Sequence, residues 1–157
     1  MVDPTTFRSA LGRLASGVSV VSTVDAEGRD HGMTVTALCS VSLDPPLILV
    51  CVDLTATMYP HLSTASHFAV SLLTRDQEDL SRRFAETTDD KFTGVPHTKG
   101  ETGCALVDNA LMHLECGVWA RHECGDHTIF VGRVVRAVSR DGEPLLYYRG
   151  GYAGLSL

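Results

Sequence analysis

Residues 31–53 read HGMTVTALCSVSLDPPLILVCVD, and the alternation within this stretch decides the fold class. Successive side chains of a β-strand point to opposite faces, so residues of one parity share a face. Hydroxyl side chains occupy one parity, interrupted only by Leu38: Thr34, Thr36, Ser40 and Ser42. Apolar side chains occupy the other parity: Val35, Ala37, Cys39, Val41 and Leu43. The pattern predicts one strand with a hydroxyl-bearing face and a core face.

Asp44-Pro45-Pro46 ends this strand, because proline has no N–H to donate and fixes φ. Residues 47–52 form a continuous apolar run, which predicts a second strand buried on both faces and ending at Asp53. The row of hydroxyls has two interpretations: the solvated face of an antiparallel strand, or a groove of donors and acceptors for a planar polar ligand. Periodicity alone does not choose between them.

Composition and charge narrow the class of protein. A chain of 157 residues with 44% hydrophobic and 20% charged residues predicts a single globular domain over 1–157. The net charge of −6 and the lack of a basic run argue against nucleic-acid binding. Neither a secretory signal nor a membrane span is predicted, so we expect a soluble cytoplasmic protein. Five cysteines without a CxxC argue against a disulfide framework or a zinc ribbon.

The pattern along the chain predicts many strands and few helices. A first helix is expected to be capped by Thr5 or Thr6, to end at Gly17, and to carry one apolar face: Phe7, Ala10, Leu11 and Leu14. Residues 54–66 are a short helix or a loop interrupted by Pro60, and 76–86 a second helix. Strands are expected over 17–24, 31–43, 47–52, 68–73, 111–121, 127–139 and 145–148, with a long loop over 87–103. Six or seven strands without regular helices between them predict a closed or nearly closed antiparallel barrel.

Motifs for common chemistries are absent from the sequence. There is no GxGxxG in a strand-to-helix context and no P-loop, so a nicotinamide cofactor would not be held in the Rossmann manner. The segment 122–127 contains two histidines, a cysteine and two acids, which is either a metal site or a polar hairpin turn in which His127 faces a pocket. We favour the turn and predict no metal site.

Several segments, taken in order, resemble the short-chain flavin reductases, the reductase components of two-component flavin-dependent monooxygenases. They are 31–53 and, further along, FAVSLLTRDQEDLSRRFA (68–85), DDKF (89–92), GDHTIFVGRV (125–134) and PLLYYRGGY (144–152). The resemblance implies the FMN-binding split barrel, a Greek-key fold with a few short helices. It also implies a homodimer in which each chain helps to form its partner's flavin site.

The activity implied by this resemblance is NAD(P)H:flavin oxidoreduction, with FMN or FAD reduced by hydride from NADH or NADPH. Reduced flavin then diffuses to a flavin-dependent monooxygenase, so no tight complex with that partner is needed. The alternative is a flavin- or haem-binding split-barrel protein that is not a reductase. The first activity predicts that NADH is oxidised when flavin is added, whereas the alternative does not.

The resemblance also implies a set of site residues. The isoalloxazine would lie along Thr34, Val35, Thr36 and Ala37, with Ser40, Val41 and Ser42 towards the ribityl chain and phosphate. Cys51, Val52 and Asp53 would lie at the pyrimidine side, and Ala56 and Thr57 near the phosphate. The phosphate and adenosine end would be completed by Arg83, Phe84, Lys91 and Phe92, and the nicotinamide would face His127 and Tyr152. Because Ala37 has no side-chain donor, the flavin N5 contact would come from a backbone N–H or from Thr36.

Overall fold

β-Strands are the most abundant secondary structure in the chain, as its many β-branched and alternating apolar residues favour. The computed structural model describes residues 1–155. The strands are β1 (Ser16–Gly17), β2 (Ser19–Val24), β3 (Asp30–Val35), β4 (Leu38–Leu43), β5 (Pro46–Asp53), β6 (His67–Leu72), β7 (His97–Lys99), β8 (Ala105–Val107), β9 (Met112–Cys124), β10 (His127–Ser139), β11 (Leu146–Tyr148) and β12 (Gly151–Ala153). The helices are α1 (Pro4–Leu11), α2 (Tyr59–Thr64) and α3 (Glu78–Phe84), the last preceded by a 3-10 turn over Arg75–Gln77. Among the helices described, none has the length and apolarity needed to cross a membrane.

Seven strands form one antiparallel sheet in the order β3-β2-β6-β9-β10-β5-β4. Its two edge strands, β3 and β4, are consecutive in the chain and are joined at Thr36 and Ala37. Only these two residues separate the two edges, and the N–H of Cys51 donates to the carbonyl of Ala37 (3.1 Å), which extends the β4–β5 ladder up to this join. The sheet therefore curls into a barrel, which confirms the mainly β split-barrel class.

Large apolar side chains fill the inside of the barrel. Val50 of β5, Phe68 of β6 and Phe130 of β10 are fully buried in one cluster, and Leu62 of α2 packs against them. A Cβ at Gly132 would collide with the Phe68 ring, so only glycine allows β10 to pass this ring. Truncating one of these phenylalanines to alanine would lower the free energy of unfolding by about 3–5 kcal/mol.

Helix α3 and the β7–β8 hairpin cover the outer face of β2. Val20 on that face packs in a second cluster with Phe84 of α3 and Val107 of β8, whereas the neighbouring Val21 faces the barrel interior. Strand β2 is therefore buried on both faces. Because β2 pairs with β3, this packing places α3 and the segment after it beside β3.

The single strand predicted over 31–43 is wrong, because these residues form two strands at opposite edges of the sheet. The chain leaves the ladder at Thr36 and Ala37 to pass between the edges, and a register shift in β4 follows between Ser40 and Ser42. Each irregularity changes which parity faces the core. Consequently Leu38 packs on the core, while the predicted core residues beyond the bend are exposed: Ala37, Cys39, Val41 and Leu43.

Strand β5 is not buried on both faces as predicted. Its burial alternates, with Ile48, Val50 and Val52 in the core and the intervening side chains only partly covered. The reason is that β5 lies next to the edge strand β4 and nothing within the described chain covers its outer face fully.

Both predicted ends of the first helix differ in the structure. Asp3, rather than Thr5 or Thr6, caps α1 by accepting hydrogen bonds from two backbone N–H groups (3.0 Å each), and Pro4 takes the first helical position. The helix ends before Gly12 rather than at Gly17. Its predicted apolar face is uncovered, with Phe7 and Leu11 exposed.

Short elements account for the other differences. Pro60 does not interrupt a helix but lies in the first turn of α2, where a missing N–H removes no helical bond. The predicted loop over 87–103 contains β7, which pairs with β8, and a further short strand, β12, follows β11. The long hairpin of β9 and β10 confirms the clearest pair in the sequence, with two register shifts.

Candidate functional site

The bend between β3 and β4 places backbone and small side chains at the end of β5. Thr36 and Ala37 are exposed there, and Cys51 is partly exposed beside them. Val35 and Val52 are buried in the core, so only their backbone groups are available to a ligand. Burial raises the pKa of the Cys51 thiol, which therefore stays protonated at neutral pH. The bend offers a surface that a flat ligand can approach closely.

Asp53 and His127 are direct cross-strand partners at the rim of the barrel. The N–H and the hydroxyl of Thr55 both donate to Asp53 at 2.7 Å and lower the pKa of its carboxyl group. Nδ1 of His127 lies 2.7 Å from Oδ1 of Asp126. Because an ionised carboxylate only accepts, Nδ1 is the donor and Nε2 is left for a ligand.

Lys91 and Thr57 line a small cavity that we call the lysine cavity. Its full lining is His31, Gly32, Thr57, Met58, Thr88, Asp89 and Lys91. Lys91 is buried, with 4% exposure, and burial lowers the pKa of its ammonium group. Its Nζ donates to the carbonyl of Phe84 (3.1 Å), and Lys91 takes part in none of the ion pairs formed by residues 1–155. The charges of Asp89, which lines the same cavity, and of Glu86 raise the pKa of Lys91, but burial outweighs them. A buried cation that forms no ion pair is a candidate ligand for a phosphate group.

The segment after α3 is held around Lys91 by hydrogen bonds and aromatic packing. Nε of Arg83 donates to the carbonyl of Lys91 (2.7 Å), and Nη2 of Arg83 donates to the carbonyl of Thr93. Phe84 and Phe92 meet edge to face, with ring centroids 4.8 Å apart, and both are buried. These three side chains position Lys91, and the Phe84 ring in particular belongs to the core.

Tyr152 is linked to β3 through a residue that sequence analysis missed. The hydroxyl of Thr34 donates to the carbonyl of Ser81 (2.6 Å), and Oγ of Ser81 lies 2.8 Å from the hydroxyl of Tyr152. The guanidinium of Arg82 lies over the Tyr152 ring, 4.9 Å from its centroid. The hydroxyl hydrogen of Thr34 is therefore used within the protein. The sequence does contain a signal for Ser81: it precedes Phe84 by three residues, so the two side chains share one face of the helix.

Ser40, Val41 and Ser42 lie apart from the other predicted residues. They are on the edge strand β4, where Ser40 and Ser42 pair with Ile48 and Leu47. Ile48 is three residues from Cys51 along β5, or about 10 Å. No hydrogen bond within residues 1–155 connects them to the lysine cavity, so this chain alone does not join them to the phosphate end.

A larger cavity opens beside the lysine cavity and shares His31 and Asp89 with it. Its volume is about 680 Å³, and its lining includes Phe92, Thr93 and His97 as well as Arg29 and three aspartates. This space is large enough for a nucleoside.

The barrel and these neighbouring groups define a split-barrel protein with a candidate ligand site at one rim. A family model described as the flavin reductase like domain matches residues 11–156. The chain belongs to this family.

Individual relatives agree with that assignment. The chain is 42% identical to an NADH-dependent flavin reductase of a Rhodococcus species, covering 99% of this chain and 89% of the relative. It is 33% identical to HsaB of Rhodococcus jostii, the reductase subunit of a flavin-dependent monooxygenase, covering 98% and 79%. The solved structure of the Streptomyces globisporus NADH:FAD oxidoreductase SgcE6, in complex with NAD and FAD fragments, superposes with a TM-score of 0.93 at 37% identity, covering 99% and 96%. Two other relatives are longer, and the chain spans 48% and 53% of them.

Proposed function

We infer that this protein is an NADH-dependent flavin reductase that supplies reduced flavin to a separate monooxygenase. Family membership and the activities of full-length relatives support this activity. Bound flavin supplies the hydride acceptor, and the protein's contribution is to hold flavin and nicotinamide in contact.

The single observation that carries the flavin site is the buried ammonium group of Lys91. We propose that it binds the flavin phosphate together with the hydroxyl of Thr57, which lines the same cavity. Arg83 and the carbonyl of Phe84 fix the position of Lys91. The isoalloxazine is then assigned to the bend at Thr36 and Ala37, whose backbone groups are exposed.

His127 is the proposed nicotinamide contact. Asp126 accepts from Nδ1 and so fixes the tautomer in which Nε2 accepts a hydrogen bond, for instance from a carboxamide N–H. Hydride transfer itself moves no proton, so His127 orients the reductant rather than acting as an acid.

For the flavin itself, we propose that FAD is used as well as FMN. The larger cavity begins where the lysine cavity ends, so a phosphate held by Lys91 would direct an adenosine group into it. NADH is the proposed reductant, since the relatives described above are named for it.

We also propose a homodimer that works in the cytoplasm. Strand β4 is an edge strand with exposed Val41 and Leu43, and such an edge is normally covered. A second copy there would extend the surface around Ser40 and Ser42 and so include them in a flavin site. Reduced flavin would reach the monooxygenase by diffusion.

The test is a steady-state assay of NADH oxidation with added FMN or FAD, combined with a fluorescence titration of flavin binding. Reductase activity predicts flavin-dependent oxidation of NADH. Flavin binding without NADH oxidation would instead assign the chain to the non-reductase split-barrel proteins.

A further inference from the structure

Three potential metal ligands lie together at the border of the proposed flavin site: His31 lines both cavities, whereas Asp25 and His61 line neither. Asp25 follows β2, His31 is on β3 and His61 is on α2, and their ligand atoms all lie within 4.8 Å of one another. The two imidazole rings stack with centroids 3.5 Å apart and an angle of 11° between their planes. Nε2 of His31 lies 2.9 Å from Oδ2 of Asp25.

The local fold holds this cluster in place before any ligand binds. Oδ1 of Asp25 accepts the backbone N–H groups of Glu27 (3.0 Å) and Arg29 (2.9 Å), which turns Oδ2 towards His31. The side chains of Asp25 and His31 are only 9% and 10% exposed. Pairing between β2 and β3 fixes these two residues relative to each other, and α2 carries His61 over them. A carboxylate and two imidazoles fixed on three separate elements form a prepared ligand set.

The chemistry of the three donors selects the kind of ion. Two imidazole nitrogens and one carboxylate oxygen suit Zn²⁺ and similar transition-metal ions, whereas Mg²⁺ and Ca²⁺ prefer sets made only of oxygen. We propose that Asp25, His31 and His61 form a binding site for a zinc-type divalent cation. The fourth position, open on the side of the larger cavity that His31 lines, would be taken by water.

Binding requires small movements of the three side chains. Zn²⁺ bonds to nitrogen and oxygen of about 2.0–2.2 Å place neighbouring ligand atoms about 3.3–3.5 Å apart. The Asp25–His31 pair must therefore open slightly, and the stacked rings must rotate so that one nitrogen of each points at the ion.

Arg29 is the competing cation. Its Nε donates to Oδ2 of Asp25 at 2.9 Å, the same oxygen that the ion would take. The Arg29 side chain is 69% exposed, so it can turn into solvent when the ion binds. Removing this guanidinium should therefore tighten ion binding, which is the opposite of what loss of a structural contact would do.

The experiment is calorimetric titration of chelator-treated protein with ZnCl₂, with MgCl₂ as the comparison ion. We expect one Zn²⁺ per chain, no Mg²⁺ binding, and a melting temperature that rises with Zn²⁺ concentration. His61→Phe keeps a flat ring to stack on His31 but has no nitrogen, so it should weaken Zn²⁺ binding by about 10- to 100-fold or more. Arg29→Ala should bind Zn²⁺ more tightly, and His67→Ala, which removes an exposed histidine at the start of β6, should bind it as the wild type does.

Cobalt distinguishes this site from the cysteines. Co²⁺ bound by nitrogen and oxygen gives no sulfur-to-metal charge-transfer band, whereas Co²⁺ on the exposed Cys39 or Cys124 does. The proposal is overturned by the absence of saturable Zn²⁺ binding at micromolar concentrations. It is equally overturned by unchanged affinity in His61→Phe, or by a charge-transfer band that Cys124→Ser removes together with the binding.

Discussion

The Nζ atom of Lys91 donates a hydrogen bond to the carbonyl oxygen of Phe84 at 3.1 Å, and this carbonyl is its one protein acceptor within residues 1–155. Burial penalises the charged form of this ammonium group, and the charges of Asp89 and Glu86 offset only part of that penalty, since the pKa is lowered overall. The same arrangement becomes favourable when a phosphate arrives. If Lys91 binds the flavin phosphate as proposed, its burial lowers the stability of the free protein and raises the affinity for flavin.

Lys91→Met should weaken flavin binding without destabilising the free protein. Loss of a charge-assisted hydrogen bond corresponds to about 1.5–3 kcal/mol, or roughly 10- to 160-fold in Kd. Methionine fills a similar volume without a buried charge, so the free energy of unfolding should stay the same or rise. Fluorescence titration and urea unfolding measure the two quantities. Lys99→Met is the matched control, since Lys99 is partly exposed and paired with Asp30; equal flavin affinity in Lys91→Met and Lys99→Met would contradict the assignment.

His127→Ala should impair the use of NADH and leave flavin affinity nearly unchanged. One lost hydrogen bond corresponds to about 0.5–1.5 kcal/mol, or roughly 2- to 13-fold in kcat/KM. Asp126→Ala removes only the group that orients the imidazole and should cause a smaller loss in the same direction. His122→Ala, at an exposed position of β9, is the control. Unchanged NADH kinetics would exclude His127 from the site, and a collapse of flavin binding would move it to the flavin pocket.

Gly32→Ala should destabilise the protein through the aromatic pair that surrounds Lys91. A Cβ at position 32 would lie 2.8 Å from the Phe84 ring and 2.9 Å from the Phe92 ring. Overpacking of this kind lowers the free energy of unfolding by about 1–3 kcal/mol. Gly117→Ala is the matched strand control, because a Cβ there meets no atom within 4 Å. Urea unfolding of both variants is the measurement, and equal midpoints would mean that the rings move aside freely.

Leu43→Lys should convert the proposed dimer into a monomer. Leu43 is 92% exposed on the edge strand β4, and a lysine there would place a charge in an apolar interface. Light scattering after gel filtration gives the mass of wild type and variant. Val2→Lys, at an exposed apolar position near the chain start, should remain dimeric. A wild-type protein that is a stable, active monomer at micromolar concentration would refute the dimer itself.

Thr93→Trp should distinguish FAD from FMN. Thr93 lines the larger cavity, and an indole there would occupy space proposed for adenosine. KM for FAD should rise while KM for FMN, which ends at the phosphate, stays unchanged. The two flavins serve as each other's control in steady-state kinetics. A parallel change for both would place the adenosine group elsewhere or the flavin phosphate closer to Thr93.

Sequence periodicity is sufficient to predict an antiparallel barrel, but it does not predict where the chain passes from one edge of the sheet to the other. Alternation identified β-structure on both sides of Thr36, yet it could not detect that Val35 and Leu38 both face the core across a bend. The bend exists because the two edges of the sheet must meet, a long-range requirement that no local pattern encodes. The short β7 and β12 were missed for a related reason, since three residues show no period.

The candidate site also contains residues that the sequence predicts and features that depend on tertiary packing. His127 was recognisable after the tight Gly125-Asp126 turn, and its partner Asp126 is its neighbour in sequence. Burial of Lys91 was not predictable, because it depends on Phe84 and Phe92 packing against Gly32 of a strand 59 positions earlier. Charge and spacing identify candidate site residues, but tertiary packing determines which of these residues are buried.

The join between the two sheet edges has a consequence for motion. At Thr36 and Ala37 the two edge strands are joined by the chain itself, because β3 and β4 do not pair. The Cys51–Ala37 hydrogen bond is the last one of the β4–β5 ladder beside this join. A ligand lying over this seam would bind only the closed ring of strands, so by linkage it would suppress breathing of the barrel. The amide proton of Cys51 is a built-in reporter of that breathing, and its exchange with solvent deuterium would slow as the seam is occupied.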